Sequence, residues 1–210
     1  GIIPKGSGNG LARHLGIPVR LQDALGCLFK SQRVAIDTFR INDQLSLNVS
    51  GIGFDGHIAG LFGGEKQRGF HGYTKLVLNE FRRFAEFEAQ ITCGGRQLSK
   101  KVFVLAIANS SQYGNNARIA PAASVCDQLL DISILKKFPV YRLDFIYSFF
   151  AGAIDKSAYC ETLQIRQATI RLAQPMSYHI DGEPAGKADR FTVEVDPASL
   201  TMLVPDGGKF

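Results

Sequence analysis

Apolar and polar positions alternate along this chain with two periods, and the change from one to the other divides it. Residues 8–16 and 21–30, on either side of Pro18, have the 3.6-residue spacing of two short helices. Residues 34–41 then alternate with period two, Asn42-Asp43 supplies a turn, and residues 45–50 extend again, which predicts a hairpin. After Asp55-Gly56, residues 57–62 suit a helix that Gly63-Gly64 would end. Residues 73–87 carry Leu76, Val77, Phe81, Phe84 and Ala85 at helical spacing and predict the chain's best helix.

Beyond residue 87 the signals are mostly extended. Residues 89–93, the Gly94-Gly95 turn, residues 97–100 and the run 102–108 predict a meander, and the unbroken apolarity of that run predicts a strand covered on both faces. Residues 110–126 read as a loop, 130–135 as a strand and 140–154 as a mostly apolar helix. Short strands are expected at 161–166, 168–172, 177–180, 191–195 and 201–204. The result is an α+β chain whose main part is an antiparallel β-sandwich-like domain with helices on its edge. The expected boundary falls between Lys30 and Arg33, giving segments 1–30 and 31–210.

With 210 residues, 45% hydrophobic and 20% charged, the chain can bury a sizeable core and does not have the composition of a disordered segment. A net charge of +5 favours anionic partners such as phosphates or acidic lipid headgroups. No Lys/Arg run exceeds two residues and there is no Trp, so nucleic acid is not an expected partner. Cys27, Cys93, Cys126 and Cys160 form no C-x-x-C pair, which speaks against a zinc site and for reduced, buried thiols in a cytoplasmic protein. The longest apolar stretch, 138–154, contains Arg142 and Asp144 and is not read as a membrane span.

The first ten residues concentrate the chemistry. An apolar entry, Pro4, and then Gly6, Ser7, Gly8, Asn9 and Gly10 opening into a helix can turn backbone N–H groups toward one point at the helix's positive end, a seat for phosphate. Ser7 could add a hydroxyl, and Asn9 could cap the helix or bond a ligand oxygen. Neither the P-loop spacing nor G-x-G-x-x-G is met, and an ordinary Gly-rich turn explains the same residues. Asp181, at a strand end beside Gly182, is the leading candidate for a general base, although Asp-Gly is also a common hairpin turn. Asp55 opens a helix, where an N-cap role suffices. Asp127 and Asp131 offer the oxygen ligands that suit Mg²⁺. His14, His57, His71 and His179 share no ligand spacing and read as surface or packing residues.

Pro4-Lys5-Gly6-Ser7-Gly8-Asn9-Gly10-Leu11-Ala12-Arg13 resembles the P-x-G-[ST]-x-N-x-x-A-R segment of the diacylglycerol kinase and sphingosine kinase family of lipid kinases. Gly51-Ile52-Gly53-Phe54-Asp55, Ile119-Ala120-Pro121-Ala122-Ala123 with Asp127 and Asp131, and Asp181-Gly182-Glu183 resemble later motifs of that family in the same order. The resemblance implies a nucleotide-binding α/β domain, whose tail would be residues 1–30, followed by a β-sandwich domain, with the active site in the cleft between them. It implies ATP and Mg²⁺ as cofactors and a hydroxyl of diacylglycerol or a related lipid as acceptor. It further implies nucleotide contacts from Gly6, Ser7, Gly8, Asn9, Lys66, Arg68 and Glu183, an acceptor contact from Asp55, a metal at Asp127 and Asp131, and base catalysis by Asp181.

Three departures qualify the match. The family's G-G-D-G-T motif, whose Asp is the rival base, is absent; Gly10 stands where many bacterial members have Asp; and Asp127-Gln128 replaces a frequent Asp-Gly. The chain is accordingly expected to be an inactive fragment of a kinase, with Ile2 and Ile3 in a strand that lacks its neighbours. Peripheral contact with the inner face of an anionic membrane and homodimerisation are further expectations about partners. A non-catalytic lipid- or nucleotide-binding module, or a kinase of sphingoid bases or NAD, are the alternatives.

Overall fold

The computed structural model describes residues 1–62 and 70–208. Two short helices come first, α1 (Gly10–His14) and α2 (Leu21–Leu28), and then the hairpin strands β1 (Ser31–Ile41) and β2 (Gln44–Ser46). Asn42 and Asp43 both adopt positive φ, 48° and 65°, the twist that a two-residue hairpin turn needs, as their side chains predict. β3 (Val49–Gly53) runs straight into α3 (Phe54–Phe62), and α4 (Phe70–Arg83) follows. The longest described helix is therefore α4, shifted toward the N-terminus from the predicted 73–87.

The remaining strands are β4 (Phe87–Cys93), β5 (Arg96–Val102), β6 (Val104–Ala108), β7 (Gln112–Gly114), β8 (Ala117–Arg118), β9 (Leu130–Leu135), β10 (Cys160–Ile165), β11 (Gln167–Ile180) and β12 (Glu183–Pro205), with α5 (Leu143–Ala151) between β9 and β10. Ten strands join in one sheet along the path β10-β9-β6-β3-β11-β12-β1-β2, with β4 and β5 branching from β11. Every ladder is antiparallel. The branch makes the sandwich. One half of β11 pairs with β4 through Thr169–Leu172 while its far end pairs with β3 through Tyr178 and His179, and the ladder to β12 is broken between Arg171 and Met176, where Pro175 cannot donate. The four short strands predicted from residue 168 onward are thus two long, irregular ones.

β6 separates two cores by simple alternation. Leu105 and Ile107 enter the core between the layers with Phe39, Ile91, Ile132 and Phe191. Val104, Ala106 and Ala108 enter a second core with Phe54, Ile58, Phe81, Phe103 and Phe145 from the helical side. Both faces of β6 are covered, as its unbroken apolarity predicts, and each large side chain there contributes about 1.5–3 kcal/mol. In the second core the Phe54 ring stacks on Phe103 at 4.7 Å and meets Phe81 and Phe84 edge-on, which pins the start of α3 to the sheet.

A third core packs α1 and α2 onto β1 and β12 through Leu11, Leu15, Ala24, Ile36, Met202 and Val204. Ile2 and Ile3 belong to no strand: Ile2 leans on this core and Ile3 is exposed, because residues 1–5 make no ladder bonds. Expected to be buried, Cys126 is exposed, and the other three thiols are half-buried and free. Among the described residues no helix is long and apolar enough to cross a membrane.

Candidate functional site

Asp55 sits in the first turn of α3, where the helix dipole favours a carboxylate. It lies one residue inside the helix and is not its N-cap. Oδ1 accepts the Gly56 N–H at 2.8 Å, while Oδ2 accepts the Tyr113 hydroxyl at 2.9 Å and faces His179 Nε2 at 3.3 Å. The Gly182 N–H reaches His179 Nδ1 at 3.1 Å, so Nδ1 must be bare and the neutral ring carries its proton on Nε2, donating to Asp55. His179 is 4% exposed. Burial, and then the charge of Asp55, push the Tyr113 hydroxyl well above its ordinary value of 10, so it stays a donor. Gly51 is the residue that makes room, since a Cβ there would overlap the Asp55 carboxylate and crowd His179 Nε2 at 2.7 Å.

Asp181 and Gly182 form the two-residue turn between β11 and β12, with φ of 51° and 93°. That is the ordinary hairpin role, and the Asp181 side chain adds to it. Its Oδ1 accepts Ser46 Oγ at 2.7 Å and the Asn48 N–H at 2.9 Å, and its Oδ2 accepts the Leu47 N–H at 2.9 Å. The carboxylate thus clamps the loop between β2 and β3, and Asn48 passes the connection on through its hydrogen bond with Ser110. Glu183 is exposed at the start of β12.

The Gly-rich turn reaches the same place from the other end of the chain. Asn9 stands at the N-cap of α1 with φ 52°, but makes no side-chain cap; its Nδ2 donates back to Gly6 O at 2.7 Å and closes the turn on itself. Gly8 O accepts the Asn115 N–H at 3.0 Å, and Asn9 bridges to Gly114, so the turn docks on the β7–β8 hairpin that carries Tyr113. A side chain at residue 10 has no room, because a Cβ would come within 2.6 Å of Asn48 Nδ2 and of Gln112 O. A residue with a Cβ there would require Asn48 and the β7 backbone to shift. Gly6, Ser7, Gly8 and Asn9 lie exposed or half-buried beside the loop that Asp181 holds.

Asp127 and Asp131 are elsewhere. Asp131 points from β9 toward the helical side, and its carboxyl is pushed up to about 6, first by burial and then by the charge of Asp127. Asp127 accepts the Leu129 N–H at 3.0 Å. Gln128 takes φ 63°, so the backbone keeps the left-handed conformation that the more frequent Gly would adopt, and its N–H bonds Asp37 at 2.7 Å. Asp131 is buried whereas Asp127 is exposed, and among the described residues no three His, Cys, Asp or Glu side chains gather around one point. Lys66 and Arg68 lie outside the described residues.

Tyr113, His179, Ser46 and Asn48 are the members of the site that sequence reasoning missed. Period-two alternation held the only signal: with Tyr178 facing the inner core, His179 must face the other way. A cavity of about 410 Å³ between the Gly94-Gly95 turn and β12 shares no residue with this cluster.

Residues 51–204 match the model described as the YegS C-terminal NAD kinase beta sandwich-like domain, and residues 1–41 match the diacylglycerol kinase catalytic domain. A Shewanella frigidimarina protein named "Probable lipid kinase YegS-like" is 26% identical over 207 residues, covering 97% of this chain and 66% of its own length. A protein of the same name from Pectobacterium atrosepticum is 28% identical over 209 residues, with 98% and 68% covered. The chain thus spans about two thirds of the length of these relatives. A solved structure described as a diacylglycerol kinase from Bacillus anthracis str. Sterne shares the fold, with a TM-score of 0.70 at 18% identity over 98% of this chain and 66% of that one. With its family match running through β3, Asp55, Tyr113 and the Asp181 turn, the chain belongs to the YegS-like lipid kinase family by its C-terminal beta sandwich-like domain.

Proposed function

We propose that this chain forms the acceptor side of an ATP-dependent lipid kinase whose intact form transfers the γ-phosphoryl group of ATP to a hydroxyl of diacylglycerol or a related lipid. The observation that carries the reading is the convergence of four segments far apart in sequence, the Gly-rich turn, residues 46–55, Tyr113 and residues 179–182. A carboxylate held by two side-chain donors and a backbone N–H is pre-positioned at low entropic cost to accept a bond from a lipid hydroxyl. Asp55 takes that role. Gly6, Ser7, Gly8 and Asn9, with Lys66, Arg68 and Glu183, are assigned to the nucleotide phosphates. The family's G-G-D-G-T motif would lie in the additional length of the relatives.

ATP would arrive with Mg²⁺, which supplies charge neutralisation for the transferred phosphoryl group. A second, structural Mg²⁺ would be held by Asp127 and Asp131. Base catalysis is assigned to Asp181, whose removal should cost the 10²–10⁴-fold typical of such a group, on the order of 3–5 kcal/mol. The three donors on Asp181 favour a second role, positioning of the loop 46–48. Asp181→Asn in the intact kinase separates the two. A fall in kcat of that size, with ATP affinity changed by less than about threefold, supports the base. Loss of ATP affinity by about tenfold or more with kcat unchanged assigns Asp181 to positioning of the nucleotide side. Calorimetry of the 210-residue chain alone should find ATP affinity no tighter than roughly millimolar.

A further inference from the structure

Among the described residues fourteen large apolar side chains are exposed, and six of them, Val140, Tyr141, Leu143, Ile146, Tyr147 and Phe150, fall within eleven residues on and just before α5. Tyr141 is 77% exposed and Leu143 and Tyr147 are 70% exposed. The opposite side of the helix is ordinary core: Phe145 is buried against Phe138 at 4.4 Å and meets Tyr159 and Phe149 edge-on. The helix is therefore mostly apolar, with Asp144 and Ser148 as its polar residues, while only one side is covered, which a free surface rarely tolerates. A second exposed group, Val19, Leu21, Leu25 and Phe29, lies in the stretch matching the diacylglycerol kinase catalytic domain, where the additional length of the relatives offers a cover. α5 lies within the β-sandwich match.

The charges around this face name its occupant. Arg142 caps α5, Arg118 lies against Gly152 at its end, Asp155 and Lys156 belong to the 3-10 turn packed on it, Lys136 adjoins Tyr159, which packs on Phe145, and Asp144 is in its first turn. Asp144, the one acid within α5, is held by Arg142 through both oxygens at 2.8 and 2.7 Å, and the pair carries no net charge. Two tyrosines among aliphatic and phenyl groups suit a water–hydrocarbon boundary, where the ring is buried and the hydroxyl stays wet. The face is also continuous with the site: α5 packs against β8, the Arg118 side chain lies across Gly152 at the helix end, and β8 pairs with the β7 that carries Tyr113. We infer that the exposed face of α5, from Val140 to Phe150, is the surface by which this domain lies on an anionic phospholipid bilayer, bringing the Asp55–Tyr113 side of the site to the membrane. The inference rests on the lipid-acceptor reading for its purpose, but binding to vesicles can be measured without turnover.

Because the chain contains no Trp, Tyr147→Trp gives a single fluorophore on this face and Phe29→Trp gives a control on α2. Each variant of the 210-residue chain is titrated with vesicles of phosphatidylcholine alone or with about a third phosphatidylglycerol, in the absence of ATP. The expected result for Tyr147→Trp is a blue shift of its emission with the anionic vesicles, quenching by brominated acyl chains and weakening at high salt, with little change for Phe29→Trp. Adding Leu143→Ser and Phe150→Ser, with circular dichroism unchanged, should weaken co-sedimentation at least about tenfold, and Lys136→Glu with Lys156→Glu should do so for the anionic vesicles. Equal binding by the serine variant overturns the inference. So does a shift at position 147 that appears without lipid and vanishes on dilution, which would mark a second copy of the chain as the occupant. A kinase inactive on every lipid whose α5 still binds vesicles refutes the function and leaves the docking surface standing.

Discussion

The recess around Asp55 and the outer face of α5 break the usual inside–outside rule in opposite directions. In the first, a carboxylate, an imidazole and a phenol are taken out of water and each is given partners: Asp55 accepts from Gly56, Tyr113 and His179, and His179 uses both ring nitrogens. In the second, aromatic and aliphatic groups are left in water with nothing over them. A buried polar group left unpaired would cost about 1–3 kcal/mol, which the recess avoids, whereas exposing apolar area forgoes about 25 cal/mol per Å², so the α5 face is not explained by stability alone. The difference teaches where geometry is fixed and where it waits: the recess is rigid because every donor has its acceptor, whereas the α5 face lacks a partner.

Substitutions in the two regions should therefore cost very different amounts. The largest effect is expected from Gly51→Ala, whose Cβ would drive the Asp55 carboxylate from Tyr113 and His179; chemical denaturation should show a loss of about 3 kcal/mol, combining overpacking with unmade hydrogen bonds. A loss below about 0.5 kcal/mol would mean that the recess is not rigid.

Acid should expose a second buried imidazole. His14 takes the Ser111 N–H on Nδ1 at 3.1 Å and among the described residues has no partner for Nε2, and burial, helped by Arg118, lowers its pKa from 6.5 to about 4. Because the folded value lies below the unfolded one, the native state binds fewer protons between these pH values. Stability is full above about pH 6.5 and falls as the pH drops toward 4, by about 2 kcal/mol once partial exposure of the ring is allowed for. Asp131 acts with the opposite sign: its value is raised from 3.8 to about 6, so its contribution improves as the pH falls through that window. The difference between the wild-type chain and His14→Gln, followed by denaturant melts from pH 7 to 4, isolates the contribution of His14.

His179→Phe keeps the ring volume but leaves Gly182 N–H and Asp55 each short of one partner, for an expected loss of about 1–2 kcal/mol. The smallest effect belongs to the other region. Tyr147→Ser should leave stability within about 0.5 kcal/mol, since the side chain covers nothing. If it destabilises as much as His179→Phe, the α5 face is part of the core.

The sequence shows best what depends on neighbours. The Asn42-Asp43 hairpin, the strand Leu130–Leu135, the buried run at β6 and the hairpin at Asp181-Gly182 all follow from local turn chemistry and period-two alternation. Asp55 and Asp181 could be selected as candidates because carboxylates beside glycines are conspicuous. Their partners could not: Tyr113 is 58 residues from Asp55 and His179 is 124, and only the pairing of β11 with β3 brings His179 above Gly51. β11 and β12 likewise run past Pro175 and Gly186, which read as strand breaks in isolation, because two different partner strands hold β11 on either side of its irregularity. Gln128 itself gives no sign of its left-handed turn, which only the frequent Gly of the resembled family hints at, and its N–H bond to Asp37 helps to hold it there.

The claim that Asp55 faces the acceptor is tested most directly by transfer of radiolabelled γ-phosphate from ATP to a short-chain diacylglycerol in mixed micelles, comparing the intact kinase with its Asp55→Asn variant. Asn keeps the size but presents one N–H face to Tyr113 or His179, which are donors. The account predicts that kcat/KM for the lipid falls at least about tenfold while KM for ATP stays within about threefold. Unchanged lipid kinetics with a weakened KM for ATP would place Asp55 on the nucleotide side and contradict it.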